Sequence, residues 1–186
     1  MYFNSIDFFV FFAIVYLLYL ALDHRRQNKM LLAASYFFYG CWDWRFLSLL
    51  LFSTVIDYFC GIKIHESDNT FARKRYLWLS VICNLGMLGF FKYFGFFSDS
   101  FVSLMNIMGL QVNPWSLKII LPIGISFYTF QTMSYTIDIY RRKLEPTRNF
   151  WDFALFVAFF PQLVAGPIER AKRLLPQISA PRHLNV

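Results

Sequence analysis

Residues 159–170, Phe-Phe-Pro-Gln-Leu-Val-Ala-Gly-Pro-Ile-Glu-Arg, form an apolar run that interrupts its own backbone twice. Pro161 has no backbone donor and frees a carbonyl one turn back, near Val157, and Gly166-Pro167 ends regular structure again. Hydrocarbon cannot hydrogen-bond the freed groups, so such a run must be packed inside protein or line a wet cavity. Broken helices in that setting belong to transport paths or enclosed active sites. Function is therefore sought here first.

The rest of the sequence makes the setting a membrane. The chain is 58% hydrophobic, with a mean hydropathy of +0.44, 24 Phe and 11 Tyr; a soluble domain is nearer half apolar. The expected fold is an all-α, multi-pass helical membrane bundle, one domain over residues 1–186. Its first span, 3–22, is long enough to cross roughly 30 Å of hydrocarbon. No positive residue precedes it and no small-x-small site follows, so it reads as an uncleaved anchor with its N-terminus outside. Further spans are expected over 30–42, 46–62, 76–97 and 117–140. The second and third form a hairpin turning at residues 40–45, although both are short for a crossing. Residues 98–116 read as an outer loop in which Asn113-Pro114 caps the next helix, and the fifth span kinks near Pro122-Ile123-Gly124. Residues 151–166 are too short to cross and are flanked by basic residues on both sides, which predicts a re-entrant segment.

The charge pattern supports this topology. The net charge of +7 comes from 18 basic and 11 acidic residues. The surplus sits in loops 23–29, 63–75 and 141–148 and after residue 169, where the positive-inside rule places it on the cytoplasmic side. It marks the lipid bilayer as partner, not nucleic acid. Cys41, Cys60 and Cys83 form no C-x-x-C pair and have no histidine at metal spacing, so no metal site is expected. His24, His65 and His183 fall in hydrophilic segments, unlike a histidine held dry and oriented as a general base.

Three charges fall within spans: Asp57, Lys92 and Asp138. An unpaired ion in mid-bilayer is costly, so each is a functional candidate. Lys92 can also snorkel, Asp138 can sit at the inner interface, and Asp57 can serve a structural hydrogen-bond role. The fifth span carries Ser126, Thr129, Met133, Thr136 and Tyr140 along one face, with Gln131 and Ser134 off it. Hydroxyls so placed either join helices or line a polar tunnel. From the residues alone, no catalytic group can be named.

Residues 121–131, Leu-Pro-Ile-Gly-Ile-Ser-Phe-Tyr-Thr-Phe-Gln, and residues 159–168 closely resemble signatures of the bacterial membrane-bound O-acyltransferases. The Trp42-Asp43-Trp44-Arg45 turn fits too, and residues 162–167 resemble the branch that acetylates alginate. The resemblance covers nearly the whole chain. It implies the N-terminal part of a larger helical fold and transfer of an acyl group from a cytoplasmic donor such as acetyl-CoA, with no bound cofactor. The acceptor would be an exported polysaccharide, served by periplasmic partner proteins at the bacterial inner membrane. The histidine held essential in the family lies downstream of these motifs, and none of the three histidines matches it. No catalytic residue carries over, and this polypeptide alone is expected to be inactive. On this reading Ser126, Thr129, Gln131, Pro161, Gln162, Gly166 and Pro167 wall an acyl tunnel. Arg170, Lys172 and Arg173 either draw an anionic donor to its mouth or act as a positive-inside anchor. Two other readings stay open: a small transporter relaying charge through Asp57, Lys92 and Asp138, or a non-catalytic assembly subunit.

Overall fold

The computed structural model describes residues 5–109, 124–165 and 169–181, and every regular element among them is an α-helix. In chain order these are α1 (Ile6–Ala21), α2 (His24–Asp43), α3 (Arg45–Glu66), α4 (Thr70–Ile107), α5 (Ile125–Tyr140), α6 (Phe150–Ala158), α7 (Phe160–Ala165) and α8 (Ala171–Ser179). Helices α3, α4 and α5 pack against one another. A second group, α2, α6 and α8, joins them through α2 and α6 against α3.

The helices outrun their expected boundaries. The basic loops expected over 23–29 and 63–75 are mostly helical: His24 to Lys29 open α2, Lys63 and His65 end α3, and Arg73 to Arg75 open α4. Lys, Arg and Gln are good helix formers, so a change in polarity does not by itself end a helix. The hairpin turn shrinks to Trp44, where Arg45 and Asp43 close an ion pair of 2.6 Å. Hydrogen bonding from that guanidinium holds the Asp43 carboxyl below its ordinary range. Helices α2 and α3 are thereby 20 and 22 residues long.

Residues 98–107, expected within an outer loop, are helical instead. Helix α4 runs on to Ile107 and ends at Gly109, whose φ of +79° suits a residue without Cβ. Asn113-Pro114 and Pro122-Ile123 lie outside the described residues. Helices α3 and α4 are long and apolar enough to cross a membrane. Helix α1 is apolar on nearly all faces, yet buries only Phe8 and Val15.

The centre of the packing is α6. Phe153, Ala154, Leu155, Phe156 and Val157 are fully buried, and Ala158 is 1% exposed. Asn149 caps this helix by accepting the Trp151 amide at 3.0 Å. A short apolar segment thus runs through protein on all sides, as its broken sequence requires. Helices α3 and α5 approach closely at Gly61, where an added Cβ would stand 2.7 Å from Tyr135 Cε1.

Candidate functional site: a helix break held by its neighbours

The break falls at Phe159, two residues ahead of the proline that announces it. Phe159 has φ −54° and ψ 104°, and Pro161 sits in the first turn of α7, where its missing donor costs little. The carbonyl shown to be recruited from outside the helix is that of Phe156, one residue before the Val157 expected. Gln131 of α5 donates Nε2 to it at 2.8 Å. On the far side of the break, the Phe160 amide donates to Ser35 Oγ of α2 at 3.2 Å, and that hydroxyl donates to Leu31 O at 2.7 Å. The Gln162 amide donates to Phe159 O at 3.1 Å, closing the first turn of α7. Ser35 carried no signal in sequence, because its partner lies on a distant helix.

An apolar groove of 270 Å³ opens beside the break between α1, α7 and α8; Phe12, Val15, Phe159, Pro161 and Leu174 border it. Gln162 is buried within the protein. Gly166 and Pro167 lie outside the described residues.

On α5, Thr129, Tyr128 and Gln131 are buried, and Thr129 Oγ1, Tyr128 Oη and Gln131 Oε1 have no hydrogen-bond partner among the described residues. Ser126 is half-buried. Tyr135 Oη, in a later turn, is likewise without a partner among the described residues, and Gln131 both joins α6 through Nε2 and leaves Oε1 unpaired. Helix α5 therefore carries both kinds of group, those that join helices and those left unpaired.

That joining is done around Asp57. Its carboxylate is fully buried and accepts Ser80 Oγ at 2.5 Å and Asn84 Nδ2 at 2.8 Å. Asn84 Oδ1 in turn accepts from Ser53 Oγ at 2.7 Å and Thr132 Oγ1 at 3.4 Å, while Ser80 and Thr136 hydroxyls lie 3.0 Å apart. The cluster ties α3, α4 and α5 together. Ser80 and Asn84, one helical turn apart within an apolar span, were the overlooked signal.

The three charges expected within spans are not brought together. Lys92 is exposed, with its Nζ 5.7 Å from the Tyr93 ring centroid, and Asp138 is half-buried. Among the described residues the ion pairs are Arg45–Asp43 and Lys63–Glu66, so no charge relay is assembled there. Arg170 precedes α8, and Lys172 and Arg173 lie on its exposed side, opposite buried Ala171, Leu175 and Ile178. Asn28 Nδ2 fastens α8 to α2 through Ile178 O at 2.8 Å. His24 begins α2 and His65 lies exposed in the last turn of α3, while His183 lies outside the described residues.

No family profile and no solved structure matches the chain. Curated relatives do. Over 182 residues, 97% of the chain, it is 44% identical to a probable alginate O-acetylase AlgI of Pseudomonas syringae pv. tomato and likewise to one of Pseudomonas aeruginosa. A peptidoglycan O-acetyltransferase of Helicobacter pylori is 34% identical over 91% of the chain. This similarity places the chain in the membrane-bound O-acyltransferase family. Within that family its sequence goes with polysaccharide O-acetylases of the alginate type. The chain spans 35% of the length of the two alginate O-acetylases and 37% of the peptidoglycan enzyme.

Proposed function

We propose that this chain forms the α1–α8 portion of a multi-pass O-acetyltransferase in the bacterial inner membrane. The complete protein passes acetyl groups from a cytoplasmic donor such as acetyl-CoA to an exported polysaccharide, of which alginate is the first candidate, with periplasmic partners receiving the product. The stapled break at Phe159 carries this reading, because it builds a non-helical backbone turn inside an apolar protein whose relatives are O-acetylases. Residues 151–166 enter as a re-entrant segment. The unpaired polar atoms of Tyr128, Thr129 and Gln131 face the acyl path with Ser126, Pro161, Gln162, Gly166 and Pro167. Exposed Arg170, Lys172 and Arg173 stand at its cytoplasmic mouth. The broad apolar exterior, including Ile6, Phe9 and Leu17 of α1 and Trp78, Ile82 and Phe90 of α4, supports contact with lipid. The N-terminus then lies outside, as the basic segments direct.

No proton-accepting residue of the transfer is assigned among these 186 positions. The test deletes the gene and restores the natural protein over its entire length. Acetyl ester on the exported polysaccharide should fall and then recover. Unchanged ester content overturns the reading. The transporter alternative instead predicts altered solute or proton flux when Asp57, Lys92 or Asp138 is neutralised in turn, and the lack of any ion pair among them counts against it.

A further inference from the structure

Three consecutive cations open α4, and the structure divides their work. Arg73 turns inward: its Nε donates to Ile64 O at 3.2 Å, its Nη2 donates to Tyr140 O at 2.5 Å, and its guanidinium lies 5.2 Å from the Tyr140 ring centroid. It binds the carbonyl ends of α3 and α5. Lys74 and Arg75 are exposed instead, and they border a groove of 640 Å³ shared with Phe71, Trp78, Leu79 and Ile82. Neither has a carboxylate partner among the described residues, and the Arg75 guanidinium lies 5.9 Å from the Phe71 ring centroid.

The level of this groove in the bilayer follows from α4 itself. At 38 residues the helix is about 57 Å long, far beyond the hydrocarbon thickness of ~30 Å. From Arg75 to Lys92 the rise is about 26 Å, so cations bound the apolar stretch at both ends. Lys74 and Arg75 then stand at headgroup depth and Trp78 at the interfacial depth indoles favour. Leu79 and Ile82 lie about one and two turns beyond Arg75, further into the hydrocarbon.

We propose that this groove is a binding site for an anionic phospholipid of the cytoplasmic leaflet, with its phosphate held by Lys74 and Arg75 and an acyl chain along Trp78, Leu79 and Ile82. Two unneutralised cations above an apolar strip complement a molecule with a negative head and a hydrocarbon tail. A free phosphate would use the cations and leave the strip bare. The site lies on the outward face of α4, apart from the break at Phe159.

The test uses the natural full-length protein in phosphatidylcholine vesicles containing either brominated phosphatidylglycerol or brominated phosphatidylcholine. The signal is the quenching lost on Trp78→Phe. Brominated phosphatidylglycerol should quench Trp78 more strongly, and Lys74→Gln with Arg75→Gln should weaken that preference roughly fivefold per charge removed. The swap Lys74→Arg with Arg75→Lys should retain it, which separates charge loss from misfolding. Equal quenching by the two lipids overturns the proposal, as does a preference that survives both Gln substitutions. Suppression of the preference by inorganic phosphate at unchanged ionic strength would reveal an anion site with no claim on lipid, and also overturns it. No acetyl donor is present, so failure here leaves the acetyl-transfer reading untouched.

Discussion

Gln131 Nε2 lies 2.8 Å from the carbonyl oxygen of Phe156 and supplies, from α5, a donor that the interrupted backbone of α6 lacks. Ser35 does the reciprocal service for the Phe160 amide from α2. Two polar side chains therefore hold the break from opposite sides, and neither belongs to the broken segment.

Gln131→Leu keeps the volume and removes the donor, which leaves a carbonyl unpaired in a closed interior. The expected cost is about 1–3 kcal/mol. It should show as a lower unfolding midpoint of the natural protein in detergent, with reduced acetyl ester on the exported polysaccharide. An unchanged midpoint would mean that the Phe156 carbonyl finds another donor.

Asn84 is the central residue of the Asp57 cluster, since its Nδ2 is within 3.0 Å of both carboxylate oxygens. Asn84→Leu removes both amide contacts to the buried carboxylate, leaves it with Ser80 as donor, and should cost about 1.5–3 kcal/mol. Ser53→Ala removes one neutral bond and should cost about 1 kcal/mol. Adding Asp57→Leu to Asn84→Leu should recover part of the loss, because the under-bonded carboxylate goes with it. Equal destabilisation by the Asn84 and Ser53 substitutions would contradict this arrangement.

Gly61→Ala places a methyl group 2.7 Å from Tyr135 Cε1 and 3.1 Å from Ile139 Cδ1. Overpacking of this kind costs about 1–3 kcal/mol. Tyr135→Leu in the same protein should relieve it, whereas Tyr135→Phe should not, since the ring carbon remains. Thermal unfolding of the three variants decides the point, and rescue by phenylalanine would place the conflict at the hydroxyl instead.

Arg73 spans two helix ends with one planar group. Arg73→Lys keeps the charge near both carbonyl termini and loses the fork, at an expected cost of about 1 kcal/mol; Arg73→Gln should cost more. Amide exchange in residues 141–143 should accelerate in the same order. Exchange rates that do not move in either variant would assign the anchoring of that loop to other contacts.

The sequence located the break to within two residues, because proline chemistry acts locally. It also marked α5 as polar on more than one side, and α5 does contact α3, α4 and α6. Its errors over 23–29 and 63–75 share one cause. Basic segments read as loops were helical, since Lys and Arg mark a membrane surface without ending a helix. Asp57 stood out by type, and Ser80 with Asn84 was legible as a polar pair one turn apart, but Ser53 gained meaning only once three helices faced one another.

Apolar content, helical period, proline position and the motifs of an acyltransferase are properties of short stretches, so the sequence by itself determined an all-helical chain with a broken apolar segment and the family to which it belongs. Tertiary structure alone decided how that break is tolerated. Gln131 and Phe156 are 25 residues apart and Ser35 and Phe160 are 125 apart. A buried donor or acceptor takes whichever partner the packing of distant helices brings within about 3 Å, and no local pattern encodes that choice.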